Sequence, residues 1–247
     1  MKDKTLHEIL EALLLPYVAP AIAQPTRIPS TTSAIEMGKD QTITGVAVTV
    51  TKKSKPITKV AIYLSGSNEL IAEKSGDDPV KNGSTSLVKD GGSISFENLS
   101  IAVPSTNVTI YAKAWDEQGT EVTSTKTANW SFVYPYYYGI CAEDKTPSTL
   151  TAEDIKAMTK DVRAKGEKSY TYTTDIDGVG HKMVIAYPTA YGTLKKALDS
   201  NGFDYLAEGY EYDSLSITGE DGSAQTYYVY AQKNASYVTN FVMKYQY

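Results

Sequence analysis

Between Ile43 and Val133 apolar side chains recur at every second position in short bursts, and glycine and proline clusters separate the bursts. Ile43, Val46, Val48 and Val50 sit in a threonine-rich run, Val60, Ile62 and Leu64 alternate strictly, and Ile94 and Phe96 repeat the pattern. Val108, Ile110, Ala112 and Ala114 form a longer run, the turn Asp116-Glu117-Gln118-Gly119 comes next, and Trp130 and Phe132 close the series. A period of two is that of a strand with one buried face. About seven such strands over residues 25–133 predict an immunoglobulin-like β-sandwich. Cys141 is the single cysteine, so only the architecture is expected, without an inter-sheet disulfide, and the fold must rest on its core.

With 247 residues the chain is too long for that sandwich alone and suits a second domain and a short extra element. The second domain is expected over residues 134–247, after Tyr134-Pro135-Tyr136-Tyr137-Tyr138-Gly139. Thr151 and Asp154 form a capping pair, and Ile155, Met158 and Val162 predict one face of a helix that Gly166 ends. A second helix is expected over Tyr191–Leu198, closed by Asn201-Gly202. Strands are expected around Tyr170 and Tyr172, at Met183–Ala186, in a hairpin around Gly219–Gly222, and at Val238–Tyr247, with a turn at Asp177-Gly178. The fold class read from the sequence is mainly β with an α+β C-terminal domain.

Residues 1–24 are read as a docking element. Thr5-Leu6-His7-Glu8 is a capping box. Leu6, Ile9, Leu10, Leu13 and Leu14 then form one apolar stripe, and Pro16 ends it. So short a helix is not stable alone in water, so the stripe needs a partner: its own domain or, as the expected reading, another subunit, with Tyr17 at its end. Pro16, Pro20, Pro25 and Pro29 predict an extended linker that holds the helix away. Leu13–Leu15 and Ala21-Ile22-Ala23 imitate a secretory signal, but Asp3, Glu8 and Glu11 oppose that reading.

The net charge is −5, and arginine occurs only at Arg27 and Arg163, which gives no footprint for nucleic acid. No apolar run approaches the length that crosses a bilayer. Catalysis lacks obvious machinery: His7 and His181 are the two histidines, and no nucleophile elbow occurs. Asp116/Glu117, Asp77/Asp78, Glu208/Glu211/Asp213 and Glu220/Asp221 are carboxylate pairs by type but read as solvated turns. Asp175-Ile176-Asp177-Gly178 begins like a calcium loop and lacks the rest of the pattern. No metal, no cofactor and no enzyme activity are expected. The chain has 20 tyrosines against 4 phenylalanines. Tyr205, Tyr210 and Tyr212, beside Glu208 and Asp213, are the candidates for stacking on a glycan or contacting another subunit.

Phe132–Gly139, Ala186-Tyr187-Pro188 with Tyr191-Gly192-Thr193-Leu194, Tyr227–Tyr230 and Val238–Phe241 resemble segments of tailed-phage virion appendage proteins, the fibre, baseplate and head-fibre proteins that include those of crAss-like phages of gut bacteria. The resemblance covers most of residues 128–247 and, more loosely, residues 5–20, and its motifs are aromatic and glycine patterns. It implies a structural virion protein whose partners are capsid, portal, collar or tail proteins, a homotrimer, and a host-surface glycan as a further ligand. The final strand, apolar on both sides, is expected to be a sheet edge covered by a neighbouring copy. The other class in play is a secreted or surface adhesin or carbohydrate-binding module, which would lose residues 1–23.

Overall fold

The computed structural model describes Thr5 and residues 16–28, 34–38, 42–101, 107–125 and 127–247. The protein is mostly β. In chain order the strands are β1 (Ala21–Ile22), β2 (Thr26–Arg27), β3 (Ala34–Glu36), β4 (Thr42–Thr51), β5 (Ile57–Leu64), β6 (Leu70–Ser75) and β7 (Gly92–Ser100). They continue with β8 (Asn107–Asp116), β9 (Glu121–Thr123), β10 (Ala128–Val133), β11 (Tyr136–Cys141), β12 (Thr159–Asp161), β13 (Lys168–Tyr172), β14 (Asp175–Ile176) and β15 (Val179–Gly180). The last are β16 (Lys182–Pro188), β17 (Lys196–Leu198), β18 (Tyr210–Thr218), β19 (Ala224–Gln232) and β20 (Phe241–Gln246). Among the described residues there are two short α-helices, α1 (Ala152–Lys156) and α2 (Leu206–Gly209). The chain divides into two compact units: one of the described residues before 29 and those from 42 to 130, the other of residues 34–38 and 131–247.

In the first unit β4 pairs with β1 and β2 on one side and with β7 on the other. A second sheet runs β10–β8–β5–β6, with β9 beside β8. The alternation read in the sequence is what the core uses: Val108, Ile110, Ala112 and Ala114 on β8 are fully buried while their neighbours are not. The Asp116 turn forms as expected, with the Asp116 carboxylate accepting the Gln118 and Thr120 N–H groups at 3.0 Å each.

Residues 16–28 do not form a free linker. Ala23 N–H donates to Thr49 O at 2.8 Å and Ile28 N–H to Gly45 O at 2.9 Å, and the Arg27 guanidinium reaches Asn129 O at 3.0 Å. The prolines are consistent with this, because proline is tolerated beside short edge strands, where no ladder N–H is needed.

In the second unit β3 lies parallel to the second half of β10, with Phe132 opposite Ile35. A five-stranded sheet runs β12–β11–β16–β19–β18, and a three-stranded one runs β13–β20–β17. The five-stranded sheet contributes to a core on each of its faces. Tyr136, Met183, Ile185, Tyr187, Tyr210 and Tyr230 face one core with Tyr170, Tyr172, Met243 and Tyr245 of the three-stranded sheet. Tyr137, Val184, Ala186, Ile217, Tyr227 and Val229 face the other with Leu150 and Ile155 around α1.

Three expectations are overturned here. The helix begun at Thr151 has its capping box, with Asp154 N–H on Thr151 Oγ1 at 3.1 Å and Thr151 N–H on Asp154 Oδ2 at 2.9 Å. It nevertheless ends at Lys156, and Thr159–Asp161 pairs with Tyr136–Tyr138 instead. The helix expected over Tyr191–Leu198 is a 3₁₀ turn at Thr189–Tyr191 followed by β17, because Gly192 at φ 86° leaves the right-handed helical region. The final strand is central rather than an edge, since β20 pairs with both β13 and β17. Met243 and Tyr245 are buried within the chain while Val242 on the other face is exposed, and the support that an edge position lent to a trimer falls away.

Candidate functional site

Leu6, Ile9, Leu10, Leu13 and Leu14 lie outside the described residues. Tyr17, the last of the expected docking set, is placed. Its hydroxyl donates to the Asp116 carboxylate, while Val18 N–H donates to Ser54 Oγ at 2.8 Å and Ser54 N–H returns to Val18 O at 3.3 Å. Burial alone pushes the Asp116 carboxyl up, but the Tyr17 hydroxyl and the Thr120 and Gln118 N–H groups outweigh it and hold it below its ordinary value. Tyr17 thus clips the entry of the chain to its own first unit, and its hydroxyl is not free for another protein.

The three glycan candidates separate. Tyr210 is buried, contrary to expectation, and its hydroxyl lies 3.2 Å from that of Tyr245. Tyr205 is half-buried at the start of α2, with its ring edge-on to Phe203 at 4.7 Å. Only Tyr212 stands clear, at 56% exposure. Its ring stacks on Tyr230 at 4.8 Å and 20°, and Tyr230 stacks at 6.0 Å and 8° on the buried Tyr187. Ser214, Ser216 and Thr226 share this face and are exposed, and Tyr228 is half-buried on it. Sequence reasoning missed these four. The signal was present as the alternation Tyr210-x-Tyr212-x-Ser214-x-Ser216 answered by Thr226-x-Tyr228-x-Tyr230.

The buried Tyr210 belongs to a chain of phenols. Tyr172 donates to Val184 O at 3.2 Å, Tyr245 donates to the Tyr172 oxygen at 3.0 Å, and Tyr245 therefore accepts from Tyr210. Burial pushes the Tyr172 and Tyr245 phenols far above their ordinary value, so both remain neutral donors. Nearby, Lys168 is buried and donates to Ala164 O at 2.8 Å and Gly166 O at 2.9 Å, with its ammonium over the Tyr136 ring. Burial lowers its pKa. Asp161 holds Arg163 Nε at 2.7 and 2.8 Å and accepts the Tyr170 hydroxyl at 2.7 Å.

Several of the carboxylates weighed for catalysis have structural partners. Asp77 pairs with Lys89 at 3.0 Å, Asp78 accepts Ser75 N–H at 2.7 Å, and Asp221 accepts the Tyr134 hydroxyl at 2.7 Å. His181 Nδ1 lies 3.0 Å from Val179 O and 3.2 Å from Thr174 O. Burial raises the Cys141 thiol, against a smaller opposing effect of Lys182. Asp175 Oδ1 accepts Gly178 N–H at 3.0 Å, and Asp177 and Gly178 take φ 53° and 77°, which makes a two-residue hairpin turn. No group of three or more histidine, cysteine, aspartate or glutamate side chains that could hold a metal occurs among the described residues. No helix among them is long and apolar enough to cross a membrane. No protein-family model matches this chain, and no curated protein does.

Proposed function

We propose that the protein is a non-enzymatic structural component of a phage virion, an appendage subunit that docks to another virion protein through residues 6–14 and presents its β-rich units for attachment to the host surface. The observation that carries this reading is where the residues of the resemblance fall. Tyr136–Tyr138, Ala186–Pro188 and Tyr227–Tyr230 form adjacent strands of the five-stranded sheet. The motifs on which the resemblance rests therefore lie on neighbouring strands, which supports reading them as parts of one scaffold. The first unit is proposed to be an immunoglobulin-like sandwich acting as a spacer. In support, β4 and β7 share one sheet while β5, β8 and β10 share the other, which is the partition of strands in that architecture. A homo-oligomer, with a trimer favoured, belongs to the same proposal by resemblance alone.

The test is incorporation. Leu10→Asp with Leu13→Asp should leave both β-rich units folded and abolish incorporation into particles, read by quantitative mass spectrometry of purified virions. Normal incorporation of the double variant would overturn the docking assignment.

A further inference from the structure

Strands β18 and β19 carry the same two-residue alternation, and their register lines it up: Tyr212 lies opposite Tyr230, Ser214 opposite Tyr228 and Ser216 opposite Thr226. Residues two apart on a strand share a face. Near α2 this face is core, because Tyr210 and Tyr230 are buried there. Toward the hairpin turn it is open: Tyr212, Ser214, Ser216 and Thr226 are exposed and Tyr228 is half-buried. The stack of rings Tyr187, Tyr230, Tyr212 runs outward across the sheet and stops at Tyr212, because β18 is the edge strand. One face of the Tyr212 ring is thus held by Tyr230, and no third ring among the described residues continues the stack beyond it.

We propose that this open end of the β18–β19 face is a binding site for a neutral saccharide. The C–H face of a pyranose ring is apolar and weakly electropositive, and it complements the electron-rich face of a phenol ring. Sugar hydroxyls need partners that both donate and accept, which the hydroxyls of Ser214, Ser216, Thr226 and Tyr228 supply. None of these residues carries a charge, while Glu211 and Asp213 alternate onto the opposite face of β18. A polyanionic chain therefore finds no cation among these residues. Because Tyr230 already braces the Tyr212 ring, binding costs little rotamer freedom. The site rests on the appendage reading only for where the saccharide would be met.

The purified full chain is titrated with linear gluco-, galacto-, manno- and N-acetylglucosamine hexasaccharides, with polygalacturonate as the anionic contrast, and binding is read by saturation-transfer NMR. At least one neutral hexasaccharide should bind and polygalacturonate should not. Tyr212→Ala should weaken that binding about tenfold, while Tyr212→Phe, which keeps the ring, and Phe203→Ala, which removes a different exposed ring, should retain it. Circular dichroism of each variant checks that the unit is folded. Failure of every neutral hexasaccharide to bind would overturn the proposal, as would equal binding of polygalacturonate or indifference to Tyr212→Ala. So would a Tyr212-dependent dimer in sedimentation, which would assign the face to a second copy. Because the assay needs no particle, its failure is distinguishable from a failure of the virion assignment.

Discussion

Replacing Tyr245 with phenylalanine removes a single oxygen from the middle of the phenol chain, and the direction of the hydrogen bonds sets the cost. The wild-type order is Tyr210 to Tyr245 to Tyr172 to Val184 O, all within residues at most 5% exposed. Tyr245→Phe breaks two bonds and strands the Tyr210 O–H, whose remaining neighbour is the weak acceptor Met183 Sδ at 4.0 Å. A buried donor without an acceptor costs about 1–3 kcal/mol, and a lost neutral bond about 1 kcal/mol, so the variant should lose about 2–4 kcal/mol. Tyr210→Phe removes the first donor and leaves only an unfilled lone pair, for about 0.5–1 kcal/mol. The double variant has no stranded donor, so it should be more stable than Tyr245→Phe alone by about 1 kcal/mol.

The chain forms two compact units, so a single unfolding transition is not assumed. Both tryptophans, Trp115 and Trp130, lie in the first unit, and their fluorescence in urea should be unchanged by these substitutions. Hydrogen exchange of peptides from β16 and β20 reports the second unit. Tyr247→Phe is the control: its buried hydroxyl finds no hydrogen-bond partner among the described residues, so its removal should change stability by less than about 0.5 kcal/mol. Strict additivity of Tyr210→Phe and Tyr245→Phe would refute the directed chain.

Alkali should unfold the second unit cooperatively. Burial raises the phenols of Tyr137, to about 12, and of Tyr172, Tyr187, Tyr227 and Tyr245, among others. Their contribution is complete below the unfolded value of about 10 and is lost above it, by about 1.4 kcal/mol per pH unit for each phenol held protonated. Absorbance of tyrosinate should therefore rise in one step together with loss of structure, not residue by residue. Acid acts on the other unit. The Asp116 carboxyl is held below its ordinary value, so its clip is intact above pH about 4 and loosens as pH falls through the folded value; exchange at residues 17–23 should rise there, and Tyr17→Phe should raise it already at neutral pH. Gly45→Ala would place a Cβ 2.6 Å from Phe96 O, and separating β4 from β7 to relieve it should cost about 2–3 kcal/mol, read as a lower urea midpoint of tryptophan fluorescence.

Local chemistry made much of the fold legible. The period-two runs became β4, β5, β7 and β8, Asp177-Gly178 became a hairpin turn, and the hairpin around Gly219–Gly222 formed with Thr218 opposite Ala224. The errors arose where a distant segment decided. Ile155, Met158 and Val162 are spaced for a helix, but the edge of β11 needed pairing, and Thr159–Asp161 supplied it. The last strand was judged by its own apolar faces, whereas its place between β13 and β17 depends on segments some fifty to seventy-five residues earlier. Tyr210 and Tyr212 are alike in type and spacing; the three-stranded sheet covers one and stops short of the other, and no local pattern encodes where a cover ends.

The two core faces of the five-stranded sheet differ in the size of what they carry. On β16, Met183, Ile185 and Tyr187 go to one side while Val184 and Ala186 go to the other, and all are fully buried. A slip of one residue in strand pairing exchanges the faces. It would drive the Tyr187 phenol into space shaped around Ala186 and leave a void on the opposite side, so the misaligned pairing is penalised by overlap and by cavity at once. A central strand hydrophobic on both sides would ordinarily be ambiguous about its alignment during folding. Here the asymmetry of bulk proofreads the register, and the tyrosine-rich composition of the unit serves fidelity of assembly as well as stability.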